Sequence, residues 1–247
     1  MTAVLPRPTQ LRIPTPRLPS PVELVVRSSP AVAYQRVIHQ TVRREFRLLA
    51  GLASWASVDD AVRGGEITRH ADLVARVLLQ HHATERELLW PALFRCLPDP
   101  EAARDIVAEW TSRAALLDHS LRDVSTVARQ WAVAGTPPAR DAFARACTRL
   151  ADDVDAATAA EERDLLPLLS AYLPDGEWTA ITRRTATSLS GREQMLVLGL
   201  ALEDASAIDR ARLLAGLSPV ARTAWRVFGR RDFHAAVVRL RGAPPAA

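Results

Sequence analysis

Within the stretch LLQHHATERELLWPALF (78–94), His81 and Glu85 have the residue types and the spacing that grip a metal ion. Residues four apart lie one above the other on a face of an α-helix, so an imidazole and a carboxylate here can reach one ion. Glu85 also falls on an apolar stripe, where an unpartnered carboxylate is costly. It therefore calls for a metal, an arginine or a proton.

The chain repeats this pattern. HHATERELLWPAL (81–93) can be laid over ATAAEERDLLPLL (157–169). In both, a glutamate stands four residues after the first position and a proline six residues after the glutamate: Glu85 with Pro91, Glu161 with Pro167. A proline inside a helix removes one backbone hydrogen bond and kinks it. The two segments differ at their first position, where His81 is matched by Ala157. His39 and His119 each stand one helix upstream of a glutamate position, so the chain reads as two copies of a helix pair. Paired carboxylates with imidazoles are how bundle cores hold iron or manganese.

The elements that must position these residues follow from periodicity and breakers. Ser29-Pro30 is a capped helix start, and a first helix is expected over 30–50 with His39, Val42, Phe46 and Leu49 on one face. A loop from Gly51 to Gly64-Gly65 leads to a second helix over 66–96. A third is expected over 101–133, with Trp110, Leu117, Val124 and Trp131 at seven-residue intervals. A fourth follows over 139–172. Long amphipathic helices with short connections predict an all-α protein built on an antiparallel four-helix bundle. The expected organisation is a proline-rich tail (1–29), the bundle (30–173) and a C-terminal helical extension (174–247), with breaks at Pro174–Gly176, Ser188–Gly191, Gly216–Pro219 and Gly229. The apolar run MLVLGLAL (195–202) must be buried, either on the bundle or in a homodimer contact.

These residues resemble the hemerythrin-like, or HHE cation-binding, family. Its pattern is a histidine on helix 1, His-x-x-x-Glu on helix 2, a histidine on helix 3 and His-x-x-x-Glu on helix 4. Here that reads His39, His81 with Glu85, His119, and Glu161 without its histidine. The resemblance covers about 31–173 and implies a bundle with non-haem iron, di-iron or mono-iron, that meets dioxygen, nitric oxide, another small diatomic ligand or peroxide. Oxygen carriers of the family usually have two helix-3 histidines four residues apart. The neighbours of His119 at that spacing are Ala115 and Asp123. Asp123 and Glu162 are therefore stand-in carboxylates. His70 reads as a core residue, His82 as a neighbour of the site or a surface residue, and His234 as a surface residue or one folded back into the Ala157 gap. The competing expectation is a bundle that has lost its metal and serves protein interaction.

Composition narrows the rest. The net charge is +4, with every basic residue an arginine and the arginines interleaved with Asp and Glu, which gives no stripe for nucleic acid. Cys96 and Cys147 have no CxxC context. No run approaches membrane-spanning length, and the arginine-bearing N-terminus has no continuous apolar h-region of the kind a secretory signal needs, so a cytoplasmic protein is expected.

Overall fold

A computed structural model describes residues 29–185 and 187–242. The proline-rich tail lies outside them. Every regular element among the described residues is helical.

α1 (Pro30–Trp55) starts where Ser29 Oγ accepts from the Val32 N–H at 3.3 Å and Pro30 occupies a position that needs no donor. It runs through Gly51, where a loop was expected, because Leu52 and Ala53 continue its packed face. α2 (Ala61–Thr84) starts at an Asp60 cap. It therefore includes Gly64 and Gly65, also expected in the loop; Gly64 packs against the Trp131 ring. A π-helical turn (Glu85–Leu89) joins α2 to α3 (Trp90–Cys96), with the Trp90 N–H donating to the Glu85 carbonyl. α4 (Pro100–Ala134) ends at Gly135, whose φ of 60° makes the turn into α5 (Pro137–Asp164). α6 (Leu166–Tyr172) follows a one-residue interruption at Leu165. Both interruptions, the π turn and Leu165, lie two residues before a proline that cannot donate to the preceding turn.

Each bundle helix packs on its sequence neighbour, and α5 returns to α1, closing an antiparallel four-helix bundle. Two apolar clusters fill it. One gathers Val42, Phe46, Leu49, Leu78, Leu121, Phe143 and Val154; the other gathers Val32, Leu89, Trp90, Leu93, Val107, Leu165 and Leu169. Between the clusters lie the buried polar residues Gln35 and His39 of α1, His81 and His82 of α2 and Thr158 and Glu161 of α5, a polar layer between two apolar ones.

α7 (Asp175–Arg184) belongs to the second cluster through Trp178 and Ile181, so bundle packing extends past Leu173. The extension then comprises α8 (Gly191–Glu203), α9 (Ala207–Gly216), α10 (Pro219–Ala224), a second π turn (Trp225–Gly229) and α11 (Arg230–Arg241). Ser190, Ser206 and Ser218 cap the first three of these helices. The break expected at Gly229 is absent. A Cβ there would come within 2.7 Å of the Trp225 ring, so close packing accounts for the glycine. The MLVLGLAL segment lies in α8, with Leu200 and Leu202 packed on Phe233 and Trp225 and Ala201 packed near Val37 of α1.

A buried charge network fastens this extension. The Glu45 carboxylate (α1) accepts from Arg44 at 2.7 Å, from Arg241 at 2.8 Å and meets His70 Nε2 at 2.8 Å; Arg241 also donates to Glu203 at 2.6 Å. His70 is thus a core residue, held by a carboxylate. Burial alone would raise the Glu45 carboxyl, but the hydrogen bond and charge of His70, with Arg44 and Arg241, hold it at about 2. No helix among the described residues is long and apolar enough to cross a membrane.

Candidate metal centre

Four side chains, one from each of four elements, meet in the polar layer. α1 supplies His39, the end of α2 supplies His81, the first residue of the π turn is Glu85, and α5 supplies Glu161. All four are buried, and one potential ligand atom from each lies within 4.8 Å of the others. His39 Nε2 is 3.3 Å from a Glu161 oxygen, and His81 Nε2 is 3.3 Å from Glu85 Oε1. Neither contact has hydrogen-bond geometry, so His39 Nε2 and both His81 ring nitrogens are buried without hydrogen-bond partners. Orphaned ring nitrogens facing two carboxylates cost free energy in a satisfied polar core and suit a cation. Imidazole and carboxylate donors are those of iron, manganese and zinc. The residues present therefore fit a metal ion.

Electrostatics without a cation are self-neutralising. Burial pushes Glu85 well above the usual carboxylate range, reinforced by the charge of Glu161 and a hydrogen bond to it. Glu161 is held at about 2, because His39, His81 and the Glu85 hydrogen bond outweigh its burial. Burial works against the His39 cation, yet Glu161 and Glu162 lift that imidazole to about 9. Burial and the neighbouring His39 push His81 well below its ordinary value. The set thus favours an imidazolium at His39 beside a carboxylate at Glu161, while Glu85 is pushed toward its protonated form and His81 toward its neutral one.

The family model for the hemerythrin HHE cation-binding domain matches residues 31–169, more than half of the chain and all four of these side chains. The chain belongs to the hemerythrin HHE family. No curated protein and no solved structure matches it.

Against the hemerythrin pattern, the structure brings together His39, His81, Glu85 and Glu161 but excludes the helix-3 histidine. His119 is 72% exposed and sits 3.7 Å from Asp123, itself 67% exposed, on the outer face of α4. The physical reason is register: Leu117 and Leu121 are buried, and His119, two residues from each, points the other way. Trp110, Thr111, Arg113, Ala114 and Leu117 are the α4 residues that line the cavity beside the site. Glu162 does not join the four; it meets His39 Nδ1 at 3.1 Å and Arg43 at 3.1 Å, so it orients the ring. His234 is in α11, away from Ala157.

Gln35 and Tyr34 of the site were not foreseen, whereas His82 was expected beside the site or at the surface. Gln35, one turn before His39, donates its amide to Glu85 at 2.6 Å and reaches Glu161 at 3.5 Å. Its position on the His39 face of α1 was the signal that could have found it. Tyr34 packs between His81 and Trp178, with ring centroids 5.8 and 5.1 Å away. His82 Nδ1 meets Asp118 at 2.5 Å, and its ring lines a cavity of about 20 Å³ beside Glu85, Ala157 and Glu161. A cavity of that measure holds about one water molecule.

Proposed function

We propose that this hemerythrin-family chain holds a single non-haem iron ion through His39, His81, Glu85 and Glu161, and that it senses or handles dioxygen, nitric oxide or peroxide in the cytoplasm. The observation that carries the reading is the buried four-residue cluster with its orphaned ring nitrogens. One ion is favoured over two because Ala157 removes a donor and His119 lies outside, leaving four protein ligands in one tight group. Bound iron would supply redox and ligand-binding chemistry at an open coordination position.

The chain's own residues do the rest. Gln35 holds Glu85 and Glu161 toward each other, and Glu162 fixes the His39 ring through Nδ1. Small-ligand selectivity is supported by the cavity beside Ala157, whose room for about one water molecule suits a diatomic ligand or peroxide better than a larger metabolite. Trp90, Trp110 and Leu117 in its wall limit water there.

The test is iron content of the purified protein beside Ala157→His. About one iron per chain in the parent, falling below about a tenth in His81→Ala, is expected. Added capacity in Ala157→His would support the gap as a lost ligand position. No iron in any form after anaerobic ferrous loading would sink the reading and leave a metal-free interaction module, for which the self-neutralised charges would then account.

A further inference from the structure

Away from the metal centre, the extension forms a half-open cavity of about 450 Å³, walled by α8, α9, α10, the second π turn and α11. That is within the size range of small-molecule sites. Its wall is strongly cationic. Arg226, in the second π turn, and Arg230 and His234, in α11, all line it at four-residue spacing in the sequence. Like charges at this spacing repel, and neither Arg226 nor Arg230 has an ion pair or hydrogen bond among the described residues.

Two further guanidinium groups face the same space. Arg210 is pinned to the Leu202 carbonyl at 2.9 Å, and Arg222 to the Leu214 and Leu217 carbonyls at 3.1 Å. Capping helix ends explains those two arginines, and it fixes their heads in advance of any ligand. It does not explain Arg226, Arg230 or His234. The one carboxylate in the wall, Glu203, is already held by Arg241 at 2.6 Å and Arg44 at 3.3 Å. The floor is apolar, made by Trp225, Phe233, Leu202 and Leu214.

Charge distribution along the chain agrees. Residues 191–247 carry nine arginines against five carboxylates, whereas residues 29–190 carry nineteen against twenty-two. The positive charge of the folded chain is therefore concentrated in the extension.

We infer that this cavity binds a small organic phosphate ester, its phosphate on the forks of Arg226 and Arg230 between Arg210 and Arg222, its apolar or aromatic body over Trp225 and Phe233. Guanidinium groups match phosphate oxygens in pairs, and this many cations suit a dianion better than a single carboxylate. The site is independent of the metal centre.

The test is calorimetric titration of the full-length protein with phenyl phosphate, inorganic phosphate and phenol. Saturable binding of phenyl phosphate, tighter than either fragment, is expected. The Arg226→Ala/Arg230→Ala double variant should weaken it by about tenfold or more, while Arg231→Ala, an exposed neighbour outside the wall, should change it less than about twofold. Both replaced side chains are exposed and unpaired, and circular dichroism checks that the fold is kept. No saturable binding overturns the inference, as does equal loss in Arg231→Ala, which would mean diffuse attraction. Loss of binding on removing iron would place the anion at the metal centre and also overturn it. So would binding to duplex DNA alone.

Discussion

Replacing Glu45 with glutamine should unfasten the extension, and the effect should vanish in acid. The carboxyl is held at about 2, against an ordinary value of 4.5, by His70, Arg44 and Arg241. A difference of that size corresponds to about 3 kcal/mol of stability, at 1.36 kcal/mol per pH unit. The sign follows from a depressed acid: the contribution is fully present above pH 4.5 and is lost as pH falls toward 2. Urea unfolding of parent and Glu45→Gln should differ by about 3 kcal/mol at pH 7 and converge near pH 2. Because Arg241 and Glu203 belong to the extension, backbone amides of α8 and α11 should exchange faster in the variant than those of α4. A gap that stays constant with pH, or a variant as stable as the parent at pH 7, would refute the reasoning.

Three other outcomes are expected. Binding a divalent ion through His39 at neutral pH must displace a proton, because that imidazole stands at about 9. Affinity should therefore rise with pH by about tenfold per unit, with about one proton released at pH 7 in calorimetry across buffers of different ionisation heat; pH-independent affinity would contradict this. His119→Ala should leave iron content unchanged and stability within about 0.5 kcal/mol, since the ring is exposed. Gly199→Ala should lower the melting temperature by several degrees, because a Cβ would stand 2.3 Å from the buried Phe233 ring and overpacking costs about 1–3 kcal/mol.

What the sequence made legible was whatever a helix states locally. The Ser29-Pro30 start, the pairing of His81 with Glu85 and the alignment of Glu85-Pro91 with Glu161-Pro167 depend on spacing within one segment, and each has its counterpart in the fold. The family resemblance pointed to His39, which the fold places in the buried cluster, and to His119, which it places outside. The α4 stripe already disagreed with His119, and facing decided the matter. Glycines misled for a related reason: Gly51 and Gly64 read as punctuation, yet helices run through both. Gly229 read as a break, and the Trp225 ring explains it instead. The clamp of Glu45 by Arg241 joins residues 196 positions apart, and no local pattern announces it. The arginines around the second cavity were visible only as scattered charge until α9, α10 and α11 folded around one space.

The π turn at Glu85–Leu89 has a consequence for how length changes in this chain would be felt. It holds one residue more than a continuous α-helix needs, because the Trp90 N–H reaches back five positions to Glu85. Deleting one residue from 86–88 would let the helix close up regularly, with the Trp90 N–H still bonded to the Glu85 carbonyl and Trp90 and Leu93 still facing their apolar cluster. Winding the same residues into a continuous α-helix would instead rotate α3 by about 100° relative to α2 and take both side chains out of that cluster. With every residue kept, Glu85 and that cluster can be served by one helix only through the π turn. A one-residue gap at this point in a related sequence would thus mark loss of the bulge, with ligands and apolar cluster both kept in place.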